Sequence, residues 1–541
     1  MPRRILKAYR ALFDPLRSSR TAERWIRTLP ASDPLALQKK IVDQVARFPN
    51  AADIRPGWVD ALLKVDARLE PVIAQLTRQY AANYETSTDV EVRMWHAVFD
   101  LIKVFIAAYQ EAVRAGDARD DDKRWRALLP WMLVRLAYYR GLDGKFRLFR
   151  YSHWIPKQWR EFHELYEFAR TRGWHREQLV FGAGTLSRPG ICVEQEYLKT
   201  LLLMRLDSGN FTADQVEWVA LQLEDWSASL ALSSTDTGAS FCVDLTGTQG
   251  LRRQNHSAGD GHVLFLDAKP VYTRVVERMH WLREHVEPVK AGELPAREQR
   301  LLLMRLAALF GPDTLAITPR AARVENDSEV RVVIGLQAVC GAIAEMENSR
   351  DASPEDAEID RQVAEIAAAV ADPDSLTSRV AGLMWKMADS SATGCRLAMS
   401  VKEASVRIGE VRIGELLAIK DGDAWSLGVV RRMQRAEGDA LSLGVEIVAR
   451  RFIRVLLRVW SASGIAGTDE ERSYFAIYLP PRPDNQRVLQ RSLIAPEDRF
   501  VAGGMVELET GNARFLVRFT QAIERQHGWV WALFNAVRKL S

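Results

Sequence analysis

The spacing of apolar residues changes partway along this chain, and that change constrains the fold more than any other feature of the sequence. Up to about residue 235, apolar residues recur every three or four positions, as at Trp95, Val98 and Ile102. This is the period of an amphipathic helix. After about residue 376 they recur at every second position, as at Leu383 and Trp385, which is typical of a strand with one buried face. The sequence therefore predicts an all-helical first half and a β-rich last third.

The length of 541 residues exceeds what one hydrophobic core usually organises, so we predict a multidomain α+β protein. Its clearest boundary is expected at 371–378, where an Asp-Pro-Asp sequence follows a helix that Ser353 caps. The predicted regions are 1–235, all-helical and helical-repeat-like; 236–375, mixed α/β; 376–450, a β-barrel; and 451–541, a β-rich extension or a second barrel.

Tryptophan is concentrated in the helical region, where ten of the sixteen tryptophans lie before residue 235. They follow the apolar face of the predicted helices, so we expect them to form a core rather than a cofactor site. Helical repeats present an extended surface that grips other proteins. We therefore expect residues 1–235 to bind a protein partner.

Charge and cysteine content limit the partners further. Seventy-four Lys and Arg against seventy Asp and Glu give a net charge of +4, so no positive excess favours a nucleic-acid polymer. The four cysteines are isolated from one another, which favours a reducing compartment. No apolar run is long enough for a signal peptide or a membrane span. We expect a cytoplasmic location without membrane contact. The basic first thirty residues would also suit an anionic membrane surface, but a solvated helix is the favoured interpretation.

Signatures of the common catalytic sites are missing from the sequence. It contains no GxxxxGK[ST], no GxGxxG after a strand, no HExxH and no GxSxG. His280 and His285 are five residues apart and cannot share one helix face as zinc ligands do. We therefore predict a protein that is not an enzyme and that carries no metal or cofactor.

One polar segment between two strand patterns stands out. Asp389, Ser391 and Gly394 have the spacing D-x-S-x-x-G, and a hairpin with matching arms follows them. In order and spacing this segment resembles the second motif of the PilZ domain, (D/N)-x-S-x-x-G, over roughly residues 376–450. The resemblance implies a β-barrel that binds cyclic di-GMP, a ligand whose phosphates and guanines both suit arginine.

The PilZ family also has an RxxxR motif upstream of the first barrel strand. Between residues 351 and 388 this sequence departs from that pattern, since the only arginines there, Arg361 and Arg379, do not have the spacing. An RxxxR does occur later, from Arg431 to Arg435 with Arg432 between them, and we take it as the alternative source of positive charge. The alternative interpretation is that these arginines are merely solvated strand residues.

Two functions remain open from the sequence. In the first, a PilZ-like sensor of cyclic di-GMP is coupled to a helical partner-binding region, and in the second a degenerate barrel serves an adaptor or scaffold without nucleotide. In the second case the motif is a polar turn in which Asp389 and Ser391 bond backbone N–H groups and Gly394 takes a positive φ. The predicted ligand-binding residues are Asp389, Ser391, Gly394, Arg431, Arg432 and Arg435.

A second polar segment lies in the central region. Asp244 and Thr246 end a strand pattern, and Arg252 and Arg253 follow shortly after. This is either a second polar turn near a ligand or an ordinary strand end with exposed arginines, and the ordinary strand end is favoured.

Overall fold

The chain divides into two compact units, Met1–Thr318 and Pro319–Ser541. This division precedes the predicted boundary at 371–378, a segment that lies outside the described residues, as does the helix predicted at 353–370. The computed structural model describes residues 14–30, 32–83, 88–181, 188–206, 208–236, 238–254, 262–285, 294–312, 323–349, 382–400, 411–435, 440–460, 473–481, 490–510 and 513–540.

The first unit is mainly helical, as its apolar period predicts. Its helices are α1 (Ser19–Ile26), α2 (Pro34–Val45), α3 (Pro56–Asn83), α4 (Thr88–Asp117), α5 (Lys123–Leu148), α6 (Pro156–Thr171), α7 (Val193–Met204), α8 (Ala213–Trp226), α9 (Lys269–Glu284) and α10 (Ala296–Phe310). Asp33 caps α2 by accepting from the backbone N–H groups of Leu35 and Ala36. Proline begins α3 and α6, where its missing N–H costs nothing. In a helical repeat each unit contacts only its neighbours along the chain. Helix α3 contacts α4 but also the distant α8, so the predicted helical-repeat arrangement is not confirmed.

A buried ion pair lies in the core of these helices. Asp66 on α3 accepts two hydrogen bonds of 2.7 Å from Arg135 on α5 and a third from the Tyr139 hydroxyl. Tyr109 on α4 donates to the same carboxylate. Burial, together with the Asp66 charge, raises the pKa of Tyr109 and of Tyr139 well above the usual range, so both remain donors. One carboxylate therefore joins three helices.

Short strands interrupt the helical unit. A hairpin of β1 (Leu179–Phe181) and β2 (Arg188–Ile191) lies inside the region predicted to be all-helical, because runs this short show no measurable alternation. The strands predicted at 240–244 and 262–266 are confirmed as β3 (Phe241–Asp244) and β5 (Val263–Leu266), which pair antiparallel, with the two-residue β4 (Arg252–Arg253) on the other edge of β3.

The second unit begins with a closed six-stranded barrel. Its strands are β6 (Val324–Ile334), β7 (Leu383–Ser390), β8 (Gly394–Ser400), β9 (Leu416–Asp421), β10 (Ala424–Arg435) and β11 (Ala440–Ala449), in the spatial order β10-β11-β8-β7-β6-β9. The turn predicted at 421–423 is confirmed, with Gly422 at φ +58°. The hairpin predicted around residue 438 is confirmed as the β10–β11 pair, although its turn lies outside the described residues. The placement of β6 in the central region is wrong, because β6 pairs with both β7 and β9 and completes this barrel.

A second closed six-stranded barrel follows. The sequence predicted either a β-rich extension or a second barrel for 451–541, and the structure has the second barrel. Its strands are β12 (Ile453–Val459), β13 (Ser473–Leu479), β14 (Ser492–Ala495), β15 (Met505–Thr510), β16 (Ala513–Gln526) and β17 (Trp529–Lys539), in the order β12-β13-β14-β17-β16-β15. The predicted fold class, with a helical first half, a mixed centre and β-barrels at the end, is thus confirmed.

The two barrels share an interface. Helix α11 (Leu336–Ser349) follows β6 and contacts β9 of the first barrel as well as β12 and β13 of the second. The buried Trp529 of the second barrel donates its indole N–H to the carbonyl of Gly414 in the first, at 3.0 Å. Gly414 takes φ +86°, which strains any residue with a Cβ, and a Cβ there would also meet the Gln526 side chain, so glycine is favoured. In the part of the chain that the structure describes, no helix is long and apolar enough to cross a membrane.

Candidate functional site

Asp389 lies near the end of β7 with its carboxylate enclosed by arginines. Oδ1 accepts from the Arg323 guanidinium at 2.7 Å, and Oδ2 forms an ion pair with Nε of Arg396 at 2.8 Å. A register shift after Met387 sets Asp389 opposite Arg396 on β8, which puts both side chains on the outer face of the barrel. Only 7% of Asp389 is exposed, so the two guanidiniums replace most of its water.

The turn after Asp389 is closed by Ser391. Its backbone N–H and its hydroxyl both donate to the carbonyl of Gly394, at 2.7 and 3.0 Å, and Arg450 reaches the Ser391 carbonyl at 3.5 Å. This differs from the polar turn considered above, because Asp389 binds arginines and Ser391 donates rather than accepts. Gly394 is also not at positive φ; a Cβ there would lie 2.6 Å from the carbonyl oxygen of Val445 on β11, so glycine is required by a close approach of strands.

Arg431 is committed to carboxylates in this structure. The β10–β11 register shifts between Val430 and Arg432, which leaves Arg431 as an extra residue that also points out of the barrel. Its Nε donates to Glu446 at 2.7 Å, and its two other nitrogens grip Glu524 of the second barrel. Burial alone lowers the pKa of Arg431, but these hydrogen bonds outweigh it and raise the pKa above the usual value. The bond to Glu524 makes Arg431 a link between the barrels.

Arg432 lies on the same outer face as the Asp389 turn. Arg432 is opposite Gly444, Gly444 is opposite Arg396, and Arg396 is opposite Asp389, which in turn is opposite Glu325 on β6. Paired residues share a face, so these five form one row across five strands. Strands are about 4.8 Å apart, so Arg432 and Asp389 are about 14 Å apart along the row. A Cβ at Gly444 would lie 3.1 Å from Cβ of Arg432, so this glycine makes room for the Arg432 side chain.

The side chain of Arg435, by contrast, points into the barrel. It is paired with Leu441, which is fully buried, two residues beyond the buried Met433. Residues i and i+2 of a strand share a face, so Arg435 points to the inside of the barrel end rather than to the row of Arg432. Of the predicted set, the structure brings together Asp389, Ser391 and Gly394 and adds Arg432 to their face.

Sequence reasoning missed the arginines around this turn, namely Arg323, Arg396 and Arg450. The upstream RxxxR of the resemblance would fall between residues 351 and 388, but the first barrel strand is β6, and Arg323 directly precedes it. Arg320 stands three residues earlier in the sequence and lies outside the described residues. The signal that could have found Arg323 is its place before the apolar run of β6. Arg396 and Arg450 could be found only from the strand register.

The thiol of Cys395 is a potential nucleophile close to the Asp389 turn. Burial raises the pKa of Cys395, beside the turn, to about 12, so its thiol is neutral. In the described ranges, no group of three or more His, Cys, Asp or Glu side chains could hold a metal ion. The arrangement is one of fixed cations around a carboxylate, which suits the binding of an anion.

The helical unit resembles a known protein family. Residues 20–237 match the family described as "Cyclic-di-GMP receptor FimW, N-terminal domain". A curated relative, the cyclic-di-GMP receptor FimW of Pseudomonas aeruginosa, is 23% identical over 336 residues, which cover 54% of this chain and 54% of the relative. The chain thus matches about half the length of that relative. No solved structure matches this chain.

Proposed function

We propose that this chain belongs to a non-catalytic, cytoplasmic regulatory protein whose PilZ-like first barrel binds cyclic di-GMP at the Asp389 turn. In the same proposal, the helical unit engages a protein partner. The observation that carries the proposal is the convergence of Arg323, Arg396 and Arg450, from three separate segments, on the turn formed by Asp389 and Ser391. The likeness to a cyclic-di-GMP receptor supports it.

The charge of the site fits the ligand. Cyclic di-GMP has two phosphodiesters, and a guanidinium can hold each through two parallel hydrogen bonds. Arg323 and Arg396 are exposed by about half, at 45% and 52% of their side chains, so a ligand can reach them from solvent. Arg432 supplies a further cation on the same outer face, beside Gly444.

Asp389 has two roles in this proposal. Without ligand it pairs with the two guanidiniums and keeps both beside the turn. With ligand it accepts from N1–H and N2–H of a guanine, while Arg323 and Arg396 turn to the phosphates. Adenine has no such pair of donors, so the carboxylate selects guanine.

The second candidate is a nucleotide-independent adaptor. It is favoured by the ion pairs of Arg431 with Glu446 and Glu524, which occupy one arginine of the predicted site. A barrel used only for docking needs no free cation, and the same ion pairs would then serve the interface between the barrels alone.

Calorimetric titration of the purified chain with cyclic di-GMP separates the two candidates. We expect Arg396→Ala to weaken binding roughly ten- to hundredfold, since a lost guanidinium–phosphate contact costs about 1.5–3 kcal/mol. Arg458→Ala in the second barrel, which removes an ion pair with Glu509, is the matched control and should leave the affinity unchanged. The double variant Arg431→Ala with Arg435→Ala tests whether these two also contribute. If the wild type gives no heat at tens of micromolar ligand, the adaptor takes the place of the sensor.

A further inference from the structure

A cavity of about 850 Å³ opens in the first unit, at the polar segment that the proposed function leaves unused. One side is formed by the start of α6 and the residues before it, including Trp154 and Trp159, and another by Arg205 at the end of α7. The loop from Thr248 to Gln254, which contains β4, completes the wall. Small-molecule sites have volumes of about 300–1,000 Å³, so the cavity can hold a ligand of nucleotide size.

A buried histidine on the protein side of the loop from Thr248 to Gln254 holds that loop in place. His163 is fully buried, and its Nε2 lies 3.0 Å from the carbonyl oxygen of Gln249 while its Nδ1 lies 2.6 Å from the Tyr197 hydroxyl. Burial lowers the pKa of His163, so the ring is neutral. A carbonyl can only accept, so Nε2 carries the proton and Tyr197 donates to Nδ1.

Gly250 brings the same loop onto an aromatic side chain. A Cβ at Gly250 would lie 2.5 Å from the ring of Trp159, so the backbone rests directly on the indole. Trp154 packs edge-on against Trp159, with ring centroids 4.8 Å apart, and donates its N–H to Asp143. Both indoles are more than nine-tenths buried, so this apolar wall is already packed in the chain without a ligand.

The charged side chains that line the cavity are all positive. Arg205, Arg252 and Arg253 line it, and no Asp or Glu is among the described residues of its wall. Arg253 is held by the last carbonyls of α10, donating to Leu309 at 3.0 Å and to Gly311 at 3.2 Å. Arg252, its exposed neighbour on β4, is the guanidinium best placed to meet a ligand from solvent. Burial raises the pKa of Cys242, so the thiol on this wall is neutral.

We infer that this cavity is a second ligand site, which takes a nucleoside phosphate. The arginines would hold the phosphate by charge-assisted hydrogen bonds, and the apolar side of the cavity, which Pro156, Leu251 and the indole edges line, would contact the base. Thr248, Gln249 and Gln254 supply hydroxyl and amide groups for the sugar and the base edge. The inference goes beyond the proposed function, because the site lies in the first unit and uses none of the barrel residues.

The test is calorimetric titration of the full chain carrying Arg396→Ala, so that the barrel site is weakened. GTP, ATP, GMP and inorganic pyrophosphate are the probes. We expect at least one nucleotide to bind one to one and more tightly than pyrophosphate. Arg252→Gln should weaken that binding at least tenfold and Arg252→Lys should do so less. Arg274→Gln, which removes an exposed guanidinium from α9, is the control and should have no effect.

Three outcomes would overturn the inference: no heat with any nucleotide at millimolar concentration, unchanged affinity in Arg252→Gln, or pyrophosphate bound as tightly as the nucleotides. Arg252 is exposed on a two-residue strand, so its replacement is compatible with folding, and a circular dichroism spectrum checks this. Binding of GTP but not of cyclic di-GMP to the wild type would contradict the proposed function alone.

Discussion

At the scale of single residues, the buried Asp66 carboxylate of the first unit pairs with an equally buried arginine, Arg135. Asp66→Ala would leave Arg135 charged and 2% exposed, without the carboxylate that offsets its burial. We expect a loss of about 3–5 kcal/mol in the free energy of unfolding. Asp60→Ala is the matched control, because it removes an exposed ion pair between the same two helices, with Arg124, and should cost less than about 1 kcal/mol. Urea denaturation followed by circular dichroism measures both, and equal losses would contradict the prediction.

A single buried histidine should also make the first unit sensitive to acid. Burial holds the pKa of His163 below its usual value of 6.5, so below that pH the unfolded chain takes up a proton that the folded chain does not. The stabilising effect is complete above pH 6.5 and is lost as the pH falls. Between pH 7.5 and 5.5 we expect the wild type to lose up to about 1.4 kcal/mol more than His163→Gln.

The measurement is urea denaturation at the two pH values. His280→Gln, which replaces an exposed histidine of α9, is the control and should behave like the wild type. A wild type and a His163→Gln variant with the same pH dependence would show that folding does not lower the pKa of His163.

The residues of the candidate site could be predicted from the sequence only where they are neighbours in it. Asp389, Ser391 and Gly394 lie within one turn, so spacing was enough to find them. Arg396 meets Asp389 through a register shift. Arg323 meets it from the position directly before β6, more than fifty residues earlier in the chain. No spacing rule contains that information, because register is set by the whole sheet. For the same reason the bulge that diverts Arg431 was not foreseen.

At the scale of elements, periodicity predicted most helices and strands but not their partners. The EVRVVIGL run was expected to be a buried strand, and it is the end of β6. Its membership in the first barrel could not be foreseen, because α11 and a long segment separate it from β7. Closing a barrel pairs strands that are distant in sequence, and local patterns do not encode such pairings.

The link between the two barrels can be tested at Glu524. Glu524→Gln removes the charge that Arg431 grips from the other barrel, while Glu446 still neutralises Arg431. We expect the second unit to lose about 1–3 kcal/mol and its thermal unfolding to separate into two transitions. Glu509→Gln, which weakens an ion pair within the second barrel, should lower stability without splitting the transition. A single transition in Glu524→Gln would mean that the apolar contacts of α11 alone couple the barrels.

At the scale of the whole molecule, the chain should separate into fragments at 318/319 rather than at 371–378. We expect 319–541 to fold alone, whereas 376–541 lacks β6 and α11 and should aggregate, because an open barrel exposes strand edges and the core beneath α11. Amide dispersion in NMR spectra of the two fragments decides this. A well-folded 376–541 would contradict the place of β6 in the barrel.

The position of β6 also has a consequence during synthesis. This strand leaves the ribosome first, but β11, the last strand of its barrel, ends about 115 residues later. At about 5–20 residues per second this interval lasts roughly 6–23 s. Throughout it, Val330 and Val332 lack the barrel interior that buries them in the finished protein. A translational pause between the two strands lengthens that exposure, so we expect the yield of folded protein to depend on the elongation rate.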